Sequence, residues 1–452
     1  MKILLLSANI LKEPYPVYPV GLDHVARSLA PAHEAVIRDM NCLGDPGTSD
    51  ELIREIQRIR PNAVGLSLRN IDNTDWSDPR GFIGWYRHIV EAVRTAGSWP
   101  LILGGSGFTL FPDALMTSLG ADWGVIGEGE RLTELLSALE SGYDPSDLPG
   151  VVVPGRPAVL PDPWDGFFSP LVSAESPHIS FYIERGGMMN LQTKRGCPFR
   201  CIYCTYPRIE GRRLRPIDPE KTASAAMELE RAGAKYLFLT DSVFNADYSH
   251  SRAVAEAFRK RGLSIPWGAF FAPSRPPGGY YAALKAAGLT HVEFGTETLS
   301  PPVLKTYGKH FKLADVMAAH GAARSAGLHI AHYFLFGGPG ETPDTVDESL
   351  ENIDRLSKTV LFFFCGMRIY PGTPLYDIAL KEGQITADQD LLEPVYYRSR
   401  AISPEEILRK VRHRAAGRRN WVVGAGGDET AKMISLFYRK GYSGPLWEYL
   451  VR

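Results

Sequence analysis

Short apolar runs alternate with amphipathic stretches over the first 140 residues. Lys2–Ser7 is a compact apolar run, and Leu22, Val25, Ala26 and Leu29 then recur at helical spacing. His33–Asp39 reads as a second strand, followed by a helix with Leu52, Ile56 and Ile59 on one face. Ala63–Ser67, Leu101–Leu103 and Gly124–Ile126 read as three more buried strands, and Phe82–Thr95 and Arg131–Glu140 as helices. Apolar strands separated by amphipathic helices predict a parallel sheet covered on both faces, a doubly wound, Rossmann-like α/β domain over 1–140.

The pattern then breaks. Prolines at 145, 149, 154, 157, 161, 163 and 170 mark 141–185 as a linker, with a small hairpin expected around Val151–Val159. Alternation returns over 186–374. Strands are expected at Asn190–Thr193, Tyr236–Thr240, Ile265–Phe270, His291–Gly295, His329–Phe336 and Val360–Cys365. Helices are expected near 218–232, 251–261, 280–287, 312–327 and 344–357. Six β/α units predict an open, partial barrel rather than a closed eight-stranded one. The Arg- and aromatic-rich tail, 375–452, reads as a small helical cap.

Composition narrows the function classes. The chain has 452 residues, 44% of them hydrophobic and 22% charged, which predicts a globular protein of two or three domains. A net charge of −1 offers neither a basic stripe for nucleic acid nor a polybasic anchor for membranes. No apolar run is long enough to cross a bilayer, and the opening apolar run is too short for a signal peptide, so a cytoplasmic location is expected.

Five cysteines are present, and three fall within eight residues. The segment Lys194-Arg195-Gly196-Cys197-Pro198-Phe199-Arg200-Cys201-Ile202-Tyr203-Cys204-Thr205 leaves the first expected barrel strand with the spacing C-x3-C-x2-C. Closely spaced thiolates in one loop suit an iron–sulfur cluster. A structural zinc site would need a fourth ligand, and so would a ferredoxin site; nothing nearby supplies one. Three ligands leave one iron open to a group that is not protein.

A C-x3-C-x2-C loop at the mouth of a partial barrel resembles the radical S-adenosylmethionine (SAM) superfamily. The resemblance implies a [4Fe–4S] cluster on Cys197, Cys201 and Cys204, with SAM on the open iron. It implies reductive cleavage to a 5′-deoxyadenosyl radical, which needs an external electron donor such as flavodoxin or ferredoxin. Tyr203 matches the family's aromatic position against adenine. The second strand ends in Thr240, Asp241 and Ser242 where many members carry Gly-Gly-Glu; these three are candidate contacts to the SAM amino group. Glu297, Gly337 and Gly338 lie at later strand ends, and Arg368 is the candidate for the SAM carboxylate.

A doubly wound domain ahead of such a barrel resembles the cobalamin-binding subgroup. Val17-Tyr18-Pro19-Val20-Gly21-Leu22 looks like its opening signature, which implies Tyr18, Pro19, Gly21 and Leu22 as contacts. Gly104, Gly105, Ser106 and Gly107, with Gly127, Glu128 and Gly129, look like its later loops. The D-x-H-x-x-G motif of other cobalamin folds is absent, and Asp23-His24 has the wrong spacing. Arg69, with Asn70, is expected to face the lower side of the corrin instead. The methylthiotransferase branch needs three further cysteines, and only Cys42 is available in this half.

The subgroup resemblance implies C-methylation of an unactivated carbon on a small-molecule or lipid substrate. Three alternatives stay open: a non-methylating cobalamin-dependent radical reaction such as cyclisation, ring contraction or rearrangement; a radical SAM enzyme without cobalamin; and a cluster-bearing sensor. No side chain is assigned as a dedicated catalytic acid or base. Phe362, Phe363 and Phe364 read as strand core, Cys365 as a buried structural thiol, and Trp267, Phe270 and Phe271 as candidate pocket walls.

Overall fold

The computed structural model describes residues 1–12, 15–43, 49–164, 178–424 and 427–451. They divide into two compact units. The first comprises Met1–Asn73, Arg80–Phe181 and Thr205–Gly211; the second comprises Thr74–Pro79, Tyr182–Cys204 and Arg212–Arg452.

The first unit is built on β1 (Lys2–Ser7), β2 (Glu34–Asp39), β3 (Ala63–Ser67), β4 (Leu101–Gly104), β5 (Trp123–Val125) and β6 (Val151–Val152), in the order β2-β1-β3-β4-β5-β6. All pair in parallel except β6. Leu4 lies opposite Val36 on one side and Val64 on the other, so the chain reverses its winding between β1 and β3. That reversal opens a crevice at the strand C-termini, where open α/β sheets take ligands. Ile3, Leu5, Leu22, Leu29, Ile102, Val125, Leu135 and Leu136 form one apolar layer. Each buried leucine or isoleucine of this kind contributes about 1.5–3 kcal/mol of transfer free energy.

Three expectations change here. Val151–Val159 is not a hairpin: Val151–Val152 pairs antiparallel with Val125 and Gly124 of β5, and among the described residues no return strand follows the turn at Pro154–Gly155. Pairing with an existing edge satisfies that backbone better than an isolated two-stranded ribbon. The expected linker also carries the helix Ile179–Glu184, while Pro170 lies outside the described residues. The fifth strand runs Trp123–Val125, one residue earlier than the apolar pattern suggests.

The second unit contains β7 (Met188–Leu191), the short β8 (Lys194–Arg195) and β9 (Arg215–Pro216), β10 (Tyr236–Leu239), β11 (Trp267–Phe271), β12 (Leu289–Glu297), β13 (His329–Phe336), β14 (Val360–Cys365), the short β15 (Met367–Arg368) and β16 (Tyr396–Tyr397), and β17 (Trp421–Val423). Seven strands form a parallel sheet in the order β17-β14-β13-β12-β11-β10-β7. The six expected strands are joined by β17 from the tail, whose Trp421–Val423 lies opposite Leu361–Phe363. A three-residue strand is too short to show a period, so the tail reads as helical in sequence.

Alternation along β13 and β14 separates two faces. Phe334, Phe336, Phe363 and Cys365 pack with Val346, Leu350, Ile353, Ile407 and Val411. Tyr333, Phe362 and Phe364 are only partly buried on the other face.

Candidate active site

The cysteine loop begins where β7 ends, and buried polar contacts hold its entry. Asp241, 1% exposed, accepts from Thr193 N at 2.7 Å, Thr193 Oγ1 at 2.6 Å and Lys194 Nζ at 2.6 Å. Lys194 Nζ also donates to Phe244 O at 2.8 Å. Thr240 Oγ1 donates to Leu191 O at 3.3 Å and Ser242 Oγ to Gly196 O at 3.2 Å. The three candidate SAM contacts after β10 therefore brace the chain running into Cys197, and the Asp241 carboxylate is turned to that task.

Within the loop, Cys204 N donates to Cys201 O at 3.2 Å, closing a turn between two of the thiols. Cys197 is buried and Cys201 and Cys204 are partly exposed; none is in a disulfide. Ile202 is clamped from both sides: its N–H donates to Tyr307 O at 3.1 Å, and its carbonyl accepts from Leu375 N at 2.9 Å. Gly308, at φ +69°, lies so close that a Cβ there would stand 2.4 Å from Arg200 O.

Glu297 reaches this loop through a bulge. Gly295 faces Tyr333 and Glu297 faces Phe334, so β12 holds one extra residue, Thr296. Buried Thr296 bonds His332 Nδ1 at 2.7 Å, and His332 Nε2 lies 3.1 Å from His320 Nδ1. Burial depresses both imidazoles, His320 to about 4, so both are neutral near pH 7. With Thr296 pinned, Glu297 adopts φ +64°, a conformation L-residues rarely hold. Its Oε1 accepts from Tyr203 OH at 2.7 Å and from Lys309 Nζ at 3.0 Å.

Lys309 has no motif in the sequence. Its side chain is 5% exposed, and its Nζ also lies 3.1 Å from Tyr203 OH and 3.7 Å from Cys201 Sγ. Burial alone would lower this ammonium's pKa, but Glu297, Cys201 and Cys204 hold it above the usual lysine value. Tyr203 is pushed well up by burial and by Glu297, Cys201 and Cys204. Three thiols in one loop with an ammonium beside one of them form a soft, thiolate-favouring donor set, which fits an iron–sulfur cluster. Among the described residues no three His, Cys, Asp or Glu side chains are gathered for a single metal ion.

Gly337 and Gly338 serve protein packing first. Gly338 N donates to Tyr307 OH at 3.0 Å, and a Cβ at Gly338 would meet the Tyr307 ring at 2.5 Å. Gly337 N donates to the buried Glu341 carboxylate. Arg368 is 5% exposed; it gives Nη1 to Ile369 O at 2.8 Å and Nη2 to Leu391 O at 2.6 Å.

The inner face of the sheet is aromatic. Phe270 is 39% exposed in mid-sheet and lies edge-on to Phe238 and Tyr333, while Phe362 and Phe364 stack on Tyr333. The expected pocket walls divide accordingly: Phe270 is exposed, whereas Trp267 and Phe271 are buried. The phenylalanine run divides too, with only Phe363 in the core layer. Tyr333 OH donates to Glu293 Oε2 at 2.8 Å, and Trp447 Nε1 to Glu293 Oε1 at 3.0 Å.

In the first unit, the loops expected to bind a cofactor meet at the winding reversal. Leu68 N donates to Gly104 O and Gly107 N to Leu68 O, both at 2.8 Å, and Ser106 Oγ donates to Arg69 O at 2.7 Å. Arg69 is exposed and Asn70 partly buried, with the Asn70 carbonyl taken by Tyr86 OH. Gly127 N donates to Thr109 Oγ1 at 3.0 Å, and Glu128 Oε2 accepts from Trp164 N. Tyr18, Leu22, Asp23 and His24 are buried at the first helix, and Pro19 and Gly21 are more open. An exposed guanidinium beside partly open glycine backbone at a sheet's ligand edge fits a large, flat ligand with an anionic tail.

The sequence matches two families: the B12 binding domain over residues 6–137 and the radical SAM superfamily over residues 191–353. The chain thus belongs to the radical SAM enzymes that carry a B12-binding domain, with a [4Fe–4S] cluster, SAM and cobalamin as their cofactors. It is similar to tryptophan 2-C-methyltransferase of Streptomyces laurentii, 25% identical over 79% of this chain and 71% of that one. Cytidylyl-2-hydroxyethylphosphonate methyltransferase of Streptomyces wedmorensis is 22% identical over 87% and 84%. In fold it is similar to the radical SAM methyltransferase TsrM of Kitasatospora setae, solved with tryptophan and a SAM analogue. There the TM-score is 0.88 at 24% identity, covering 100% of this chain and 98% of that one. The protein is thus an enzyme that joins a radical SAM domain to a B12-binding domain. Among the described residues no helix is long and apolar enough to cross a membrane.

Proposed function

We propose that this enzyme methylates a carbon of a small molecule that presents a flat apolar or aromatic surface. The observation that carries the proposal is the pairing, in one chain, of a three-cysteine loop after β7 with a B12-binding domain. When bound, the cofactors supply the electron-transfer, radical and methyl-transfer chemistry, so no dedicated acid or base is called for.

The chain's part is holding and orienting. Cys197, Cys201 and Cys204 would hold the cluster. Tyr203 and Glu297 would line the SAM site beside it, with Thr240, Asp241, Ser242, Gly337, Gly338 and Arg368 setting the backbone around it. Arg69 and Asn70 would face the lower side of cobalamin. The loops at Tyr18–Leu22 (Tyr18, Pro19, Gly21, Leu22), Gly104–Gly107 and Gly127–Gly129 would contact its edge. Phe270, Tyr333, Phe362 and Phe364 offer a wall on which an apolar or aromatic substrate packs. Several relatives named as methyltransferases act, by their names, on compounds with large flat or apolar bodies, including tryptophan and hopanoids. A one-electron donor of the flavodoxin or ferredoxin class would supply the reducing electron.

Anaerobic reconstitution with iron, sulfide and hydroxocobalamin, followed by assay with deuterated-methyl SAM, tests this reading. Labelled methyl in the product is the expected result. Formation of 5′-deoxyadenosine with an unlabelled, rearranged product would replace methylation by a cobalamin-dependent rearrangement.

A further inference from the structure

We infer that Lys309 is a positioning residue that raises the reduction potential of the cluster by donating to the Cys201 sulfur; this rests on the cluster reading above. An ammonium has three donors. Here they face Cys201 Sγ at 3.7 Å, Glu297 Oε1 at 3.0 Å and Tyr203 OH at 3.1 Å. The Lys309 ammonium also lies over the rings of Tyr203 and Phe311, 5.6 and 5.3 Å from their centroids. Its place is set by backbone rather than by chance. Lys309 N donates to Leu304 O at 3.0 Å, and the adjoining Tyr307 carbonyl is bonded to Ile202 of the cysteine loop. The tight approach of Gly308 to Arg200 O leaves room for no side chain there.

A cluster held here would take one electron from an external donor and so gain one negative charge beside Lys309. The added negative charge is stabilised by a nearby buried cation and by N–H donors to its sulfurs. Lys309 supplies both. The Glu297 carboxylate acts in the opposite sense, so the two side chains set the potential against each other.

The test uses the full chain, reconstituted anaerobically with iron and sulfide, as wild type, Lys309→Met, Lys309→Arg, Glu297→Gln and the double variant Glu297→Gln/Lys309→Met. Iron and sulfide content are measured first, and the midpoint potential is then read by EPR-monitored redox titration without SAM. Loss of Lys309 is expected to weaken reduction by about tenfold, a downward shift of about 59 mV for one electron. Lys309→Arg is expected to keep most of the wild-type value, and Glu297→Gln to move it upward. The double variant leaves neither buried charge unpaired, so it keeps the test open should Lys309→Met fail to fold; its midpoint must lie below that of Glu297→Gln. An unchanged midpoint in a fully loaded Lys309→Met protein overturns the inference alone. Failure of the wild type to take up a cluster overturns the cluster reading with it.

Discussion

Lys194 donates its ammonium to Asp241 across 2.6 Å, and neither side chain is more than 1% exposed. This pair ties Lys194, at the start of β8 and three residues before the first cysteine of the loop, to the segment that follows β10. Asp241→Asn or Lys194→Met would leave one buried charge without its partner, at a cost of about 3–5 kcal/mol. The expected outcome is a lower denaturation midpoint together with reduced iron content after reconstitution. A single variant as stable as wild type would show that the pair does not anchor the loop.

Gly105 tests the cobalamin half separately. It sits at φ +97°, and a Cβ there would stand 2.6 Å from Leu68 O. Gly105→Ala must therefore push the β3 and β4 loops apart, at about 1–3 kcal/mol for the strained backbone. Cobalamin retained after desalting is expected to fall by roughly tenfold or more, with iron content unchanged. Equal loss of both cofactors would mean the substitution unfolds the chain instead.

Glu341 makes stability depend on pH. Burial pushes its carboxyl up to about 8, against the pull of the Gly337 and Gly338 amides. The folded state then binds a proton that the unfolded chain releases above the ordinary carboxylate value. Stability is expected to fall as pH rises from about 4.5 to about 8, by roughly 1.4 kcal/mol per pH unit at most. Glu341→Gln keeps the oxygen that accepts from Gly337 and removes the titration. Its Tm should drop less than that of wild type between pH 6 and pH 8.5; parallel curves would refute the assignment.

Cys201 and Cys365 should respond in opposite ways. Cys365 lies in the apolar layer behind β14, and burial pushes its thiol up to about 12. Cys201→Ala is expected to abolish the cluster's visible absorption and 5′-deoxyadenosine formation. Cys365→Ser should retain both and lose about 1–3 kcal/mol of stability by burying a hydroxyl. Loss of radical formation in a folded, cluster-loaded Cys365→Ser protein would give that thiol a part in the reaction.

Phe270 reports on the substrate wall. Phe270 is partly exposed and packs edge-on against Phe238 and Tyr333, so Phe270→Ala should cost only about 0.5–2 kcal/mol of stability. It should raise the substrate KM while SAM cleavage without substrate stays unchanged. An unaltered KM would place the substrate elsewhere.

Much of the architecture was legible in the order of residues. The strand and helix alternation in both halves is a local signal, because burial on both faces of a parallel sheet demands continuous apolar runs. The three cysteines are adjacent in sequence, and their number carries chemical meaning before any folding is considered. The strand-end glycines and acids could likewise be found from their place after each run. Their protein contacts could not: Asp241, Gly337 and Gly338 also bond to Lys194, Glu341 and Tyr307.

What the sequence by itself determined was the class of cofactor chemistry and the two α/β units, since both rest on short-range spacing and on periodicity. Tertiary structure alone decided that Trp421–Val423 completes the sheet, that Thr296 bulges so Glu297 turns inward, and that Lys309 meets Cys201 from 108 residues away. Each of these depends on pairing or charge contact between segments distant in the chain. No local pattern records such a contact, because its energy exists only once the two segments have been brought together.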